Sequence, residues 1–187
     1  MKRKHDESWL VLRPLMGGGN SVVYECIASD RPSKQQPFLR NPSAGPVVVK
    51  VSRTDPSYME EEDRKLERFA HPNIVESLGL VTATDPEYRD PIPGLMLPRA
   101  EHTLEGLRMQ GERIATLSLL RVARQITAGL GHMHLLGYIH GDVTTANVLM
   151  FAGTAKLCDL DFCAVQFTSQ PCMQLGTPYA SRPPEVV

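Results

Sequence analysis

Short apolar runs set between polar or glycine-rich breaks fill the first hundred residues, and a longer helical period governs much of the rest. Residues 9–15 form one such run, broken by Arg13, and it ends near Gly17-Gly18-Gly19. Val22, Val23 and Tyr24 follow, β-branched and aromatic as strands prefer. Residues 30–46 are rich in Pro, Ser, Gln and Asn without a period, which predicts a solvent-exposed insert between two strands. A third strand is expected over 47–51, with Val48 and Lys50 on one face and Val47, Val49 and Val51 on the other. Residues 59–69 read as a helix that places Met59, Leu66, Phe69 and Glu62 on one face, with acidic residues towards its start, where the helix dipole favours them. His71-Pro72-Asn73 ends it. Further strands are expected over 74–81 and 94–97, separated by a polar, proline-rich loop. The longest periodic segment is 114–136. Leu119, Val122, Ile126, Leu130 and Met133 make one stripe there, and Leu117 and Leu120 widen it, so cover on more than one side is expected. Short strands over 148–150 and 155–157 precede an irregular Ser, Gln, Pro and Thr-rich stretch. The chain shows no internal repeat.

With 187 residues, 42% of them hydrophobic and 22% charged, the chain is long and apolar enough for a packed globular core. A formal net charge of −1 points to neither nucleic acid nor a membrane as partner. The basic cluster Lys2-Arg3-Lys4 reads as a solvated terminus, and no run is long enough to span a bilayer. The 4 cysteines contain no CxxC pair, so they are expected to be small buried thiols in a reducing compartment, cytoplasmic first and nuclear second, rather than zinc ligands.

Several residues are placed for phosphate chemistry. Glycines 17–19 let backbone amides approach phosphate oxygens, although such a run is also ordinary turn material. Lys50 lies among valines and Glu62 on the apolar face of the next helix; each charge needs a partner, and each suits the other. Asp142, Asn147 five positions later, and Asp159 at a strand end can converge on a metal and a substrate, although Asp and Asn also favour turns.

In order and spacing these segments resemble the eukaryotic protein kinase family across nearly the whole chain. Residues 15–24 are similar to its Gly-rich loop, Val47-Val48-Val49-Lys50 to the strand carrying the phosphate-binding lysine, and His71-Pro72-Asn73-Ile74-Val75 to the segment after helix C. Residues 140–147 resemble the catalytic loop, and Asp159-Leu160-Asp161 stands at the magnesium-binding motif. Gly176-Thr177-Pro178 and Arg182-Pro183-Pro184-Glu185 resemble the end of the activation segment.

The resemblance implies an α+β, two-lobed kinase-like fold: one domain over 1–187, with a β-rich lobe and hinge over 9–100 and a partial, mainly helical lobe over 101–187. It implies transfer of the γ-phosphate of ATP to Ser/Thr hydroxyls of a protein substrate, with ATP and Mg²⁺ as cofactors. In this reading Lys50 holds phosphates and pairs with Glu62, Asp142 receives the substrate proton, and Asn147 and Asp159 hold Mg²⁺. Gly17, Gly18 and Gly19 cover the phosphates. Val23, Val48 and Leu149 flank adenine, Leu97 is the gatekeeper, and residues 98–100, including Pro98 and Ala100, form the hinge.

The chain departs from the family at named positions. Met16 and Ser21 replace two loop glycines. Gly141 replaces an arginine that reads activation-loop phosphate, which predicts no such switch. Thr144 stands where Ser/Thr kinases place a cation on the γ-phosphate, and Asp161 replaces a glycine. The chain is expected to stop soon after the Arg182–Glu185 motif, leaving the long helix to expose an apolar patch or to be covered by a partner. These departures favour an alternative reading as an ATP-binding pseudokinase or a truncated, non-catalytic fragment. A third reading, a small-molecule kinase, rests on His140-Gly141-Asp142.

Overall fold

The computed structural model describes residues 8–17, 21–27, 46–84, 91–111 and 114–166. Gly18, Gly19, residues 30–45 of the insert expected over 30–46, and the activation-segment motifs beyond 166 lie outside the described residues. The chain divides into two compact units, one drawn from Met1–Arg68 and Glu76–Arg99, the other from Phe69–Val75 and Ala100–Val187.

The first unit is a closed five-stranded barrel with one helix. Its strands are β1 (Ser8–Gly17), β2 (Ser21–Ile27), β3 (Val47–Ser52), β4 (Gly79–Thr84) and β5 (Pro91–Pro98), in the order β1-β2-β3-β5-β4. Parallel pairing of β1 with β4, Ser8 opposite Thr82, closes the barrel and removes free sheet edges. The alternation along β3 does what the valine pattern implies: Val49 and Val51 pack with Leu78, Val81 and Met96, and Tyr24 and Val47 lean on that cluster. Val48 and Lys50 take the opposite face and are also buried. Gly94 lets β5 press against β3, because a Cβ there would lie 2.4 Å from Val49 Cγ1 and 3.2 Å from the Lys50 carbonyl oxygen.

Helix α1 (Ser57–Arg68) begins where Asp55 Oδ1 accepts the Ser57 amide at 2.8 Å, with Pro56 beside it, and Lys65 and Arg68 complement the dipole at its end. It buries Met59, Glu62, Asp63 and Leu66.

The strand expected over 74–81 is corrected. Only Gly79–Thr84 joins the barrel as a strand, because Ile74 and Val75 are bound within the second unit. There the Val75 amide donates to Leu157 at 2.8 Å, Leu157 returns a bond to Asn73 at 2.9 Å, and Ile74 makes a single bridge to Leu157. The strand expected over 94–97 is longer, Pro91–Pro98.

The second unit is built on α3 (Thr116–Leu135), together with β8 (Val148–Phe151) and β9 (Thr154–Leu157). Gln125 Oε1 accepts the Ala155 amide at 2.9 Å and so joins α3 to β9. Along the expected apolar stripe Val122 and Met133 are buried, with Gly129 beside them, and Ile126 and Leu130 are half-buried, so this is the packed face; at the helix start Leu119 is 45% exposed, and Leu117 and Leu120, expected to widen the stripe, more so. Elements that the periodicity did not foretell are β6 (His102–Thr103), α2 (Leu104–Met109), β7 (Tyr138–Ile139) and β10 (Ala164–Val165). They are too short to carry a period. Thr103 caps α2 by accepting the Gly106 amide at 2.9 Å. No helix among the described residues is long and apolar enough to cross a membrane. Cys158 and Cys163 are half-buried rather than buried, because they flank the exposed turn at Asp161.

Candidate active site

The residues singled out for phosphate chemistry fall into two groups, each within one unit. In the first, β3 directs Lys50 to the face opposite the valine cluster and α1 directs Glu62 inward. Lys50 Nζ lies 2.9 Å from Glu62 Oε1 and 2.7 Å from Oε2. Lys50 is 5% exposed and Glu62 3%. Two buried charges persist only when paired in this way. Val23 pairs across strands with Lys50 and Val48 with Leu97. Val48, Leu97 and Pro98 are buried, while Val23 is half-buried. Gly17 ends β1 and is exposed.

Beside Glu62 the sequence hid a second buried carboxylate. Asp63, 2% exposed, accepts the Ser77 hydroxyl, and Ser77 Oγ in turn accepts the Gly79 amide at 3.0 Å. This fastens α1 to the start of β4. The signal was present, since Asp63 stands four residues after Met59 and three before Leu66.

In the second unit the loop after β7 folds around His140, which is 1% exposed. Its Nε2 meets the Cys158 carbonyl at 3.0 Å and its Nδ1 accepts the Asp142 amide at 3.3 Å. Burial pushes the imidazole below its ordinary range, opposed by the Cys158 carbonyl and by the charges of Asp159 and Asp142. Gly141 sits at φ 82°, and a Cβ there would stand 2.3 Å from the Phe162 carbonyl oxygen. The loop in this conformation therefore excludes any side chain, the family's arginine included.

A one-turn 3₁₀ helix at Thr145–Asn147 brings Asn147 back onto Asp142. Asn147 Nδ2 donates to Asp142 Oδ2 at 2.7 Å and to the Asp142 carbonyl at 3.0 Å. Asp142 Oδ1, a buried atom, has no hydrogen-bond partner among the described residues. Asp159 is held at φ 63°, a left-handed backbone that Asp tolerates better than most residues and that often marks a functional turn. Carboxylate oxygens of Asp159 and Asp161 lie within 4.8 Å of one another. Leu149 is half-buried on β8, opposite Thr103 and Lys156, and Ala100 is half-buried ahead of β6.

Residues 11–186 match the family model described as protein tyrosine and serine/threonine kinase. The chain belongs to this family. Among its curated relatives, serine/threonine-protein kinase PAK mbt of Drosophila melanogaster is 29% identical over 174 residues, covering 89% of this chain. Protein kinase gsk31 of Schizosaccharomyces pombe is 27% identical over 149 residues, or 76% of the chain. Serine/threonine-protein kinase ISR1 of Eremothecium gossypii is 32% identical over 103 residues, or 52% of the chain. The kinase chain spans only 25%, 39% and 30% of those relatives' lengths, respectively. The α+β architecture, with its β-rich unit and helices, agrees with a kinase domain, and kinases of this family generally use ATP and Mg²⁺.

Proposed function

We propose that this kinase transfers the γ-phosphoryl group of ATP to Ser/Thr hydroxyls of a protein substrate. The observation that carries the proposal is Asp142: Asn147 fixes one carboxylate oxygen, and the other is buried without a partner among the described residues. A general base needs such an oriented, available lone pair. Asp142 orients the attacking hydroxyl and accepts its proton. Lys50, held by Glu62, is the cation for the α- and β-phosphates. The oxygen donors of Asn147 and Asp159 suit a hard divalent cation and are the residues that would hold Mg²⁺. When bound, ATP–Mg²⁺ supplies the phosphoryl group and offsets the charge on its oxygens. Gly17, Gly18 and Gly19 approach the phosphates. Val23, Val48, Leu97, Pro98, Ala100 and Leu149 form the adenine slot and hinge. Residues 9–100 act as the nucleotide lobe, residues 101–187 as the substrate lobe, and the cell interior is the site of action.

Thr144 favours a second reading, an ATP-binding pseudokinase. It occupies the family's cation position, and its carbonyl instead accepts the Asn147 amide at 3.1 Å to start the 3₁₀ turn. Radiolabelled ATP with a generic protein substrate, wild type beside Asp142→Asn, decides between the readings. Phosphoserine or phosphothreonine that Asp142→Asn abolishes is the expected result. An ATP-dependent thermal shift without transfer selects the pseudokinase, and neither signal overturns both.

A further inference from the structure

The kinase reading assigns no work to Thr145, which lies between Asp142 and Asn147 as the first residue of the 3₁₀ turn. Its Oγ1 donates to Glu105 Oε2 at 2.5 Å. The same carboxylate accepts Arg108 Nε at 3.0 Å and Arg108 Nη2 at 2.5 Å. We propose that Glu105 is a positioning residue for the 142–147 loop, acting through the Thr145 hydroxyl, with Arg108 fixing the carboxylate from behind.

The connectivity makes this a closed ring. Glu105 stands in the first turn of α2, directly after β6. Strand β6 pairs with β8, Thr103 opposite Leu149, and the Glu101 amide donates to the Met150 carbonyl at 3.0 Å. Strand β8 starts at Val148, the residue after Asn147. The loop is therefore tied to one rigid element at its exit through the backbone and at its middle through Glu105. Hydroxyl-to-carboxylate bonds are among the stronger ones because the acceptor is ionised. The Arg108 bonds, followed by that from Thr145, pull the Glu105 carboxyl down to about 2, which keeps it charged throughout the neutral range.

The Glu105 and Arg108 side chains are 24% and 65% exposed, so as an ion pair they contribute little to stability. The effect expected is on where Asp142 and Asn147 sit, and misplacing a catalytic group by about 1 Å can cost on the order of 100-fold in rate.

The kinetic half of this inference rests on the kinase reading, so the test has an arm that does not. In nucleotide-free protein, hydrogen exchange is followed at the Asn147 amide, bonded to Thr144, and the Cys158 amide, bonded to Asn147. Thr145→Val and Glu105→Ala should each speed exchange at both amides by about three-fold or more through easier local opening. Thr145→Ser should restore the wild-type rate, and Glu105→Ala/Thr145→Val should be no faster than the faster single variant. In the transfer assay, Thr145→Val should lower kcat about ten-fold with the KM for ATP within about two-fold and the melting temperature unchanged. Wild-type exchange in Thr145→Val, or failure of Thr145→Ser to restore it, overturns the proposal. A wild type without transfer, by contrast, sinks only the kinase reading and leaves the exchange result to decide this one.

Discussion

Removing either Lys50 or Glu62 alone leaves the other charge stripped of its counter-ion in a site that is 5% or less exposed. The ammonium lies 2.7 and 2.9 Å from the two carboxylate oxygens. At that separation an effective dielectric of about 20 gives an attraction on the order of 6 kcal/mol, much of it offset by desolvation of the two ions. Stranding one member of a buried pair costs about 3–5 kcal/mol, while replacing both by apolar side chains of similar volume is roughly neutral. We predict that Lys50→Met and Glu62→Leu each destabilise the nucleotide-free protein by about 3–5 kcal/mol, and that the double variant returns to within about 1 kcal/mol of wild type. For a chain of this length each kcal/mol moves the melting temperature by about 2–4 °C, so each single variant should melt about 6–20 °C lower. Thermal scans and urea titrations of the four proteins complete a double-mutant cycle. Single costs below about 1 kcal/mol, or a double variant as unstable as the sum of the singles, would refute the reasoning.

Two further outcomes follow from the second unit. Gly141→Ala should lower stability by about 1–2 kcal/mol or more, because φ 82° is costly for any L side chain and the Phe162 carbonyl must also move. A urea midpoint equal to wild type would contradict that geometry. Acidification should destabilise the fold as pH falls below about 6.5. Burial, and for His71 also repulsion from His132, holds the imidazoles of His71 and His140 below their ordinary value of 6.5. The unfolded chain then binds more protons below that value, so the stability present above it is lost as pH falls towards the folded pKa. The urea midpoint should drop from pH 7.5 to 5.5, less steeply in His71→Gln; a flat or rising midpoint would contradict it.

The elements legible in the sequence are those whose burial repeats along the chain. The valines of β3 and the Met59, Glu62, Leu66 spacing of α1 each state a face, and Lys50 and Glu62 stand out because charge on an apolar face needs an explanation. The α3 stripe was legible as a helix and, from Val122 to Met133, as a face, but not at the helix start. Leu117, Leu119 and Leu120 remain exposed, while Gln125, polar and half-buried, makes the contact that joins α3 to β9. Residues 74–78 read as strand because Ile74, Val75 and Leu78 are buried, yet the Val75 amide is committed to Leu157, a partner no local pattern reveals. The Glu105–Thr145 bond was invisible for the same reason, with 40 residues separating its ends.

The excursion of Phe69–Val75 into the second unit has a consequence for how the chain is made. This segment leaves the ribosome long before β9, and Asn73 must wait for Ala155, 82 residues later, to accept its side-chain amide. The barrel strands on either side of it are complete by residue 98. During synthesis the early unit therefore carries an uncommitted strip, with Ile74 and Val75 open to wrong partners, until the late unit claims it. Any attempt to produce the late unit alone must begin at residue 69 rather than at the hinge, or supply that strip as a separate peptide.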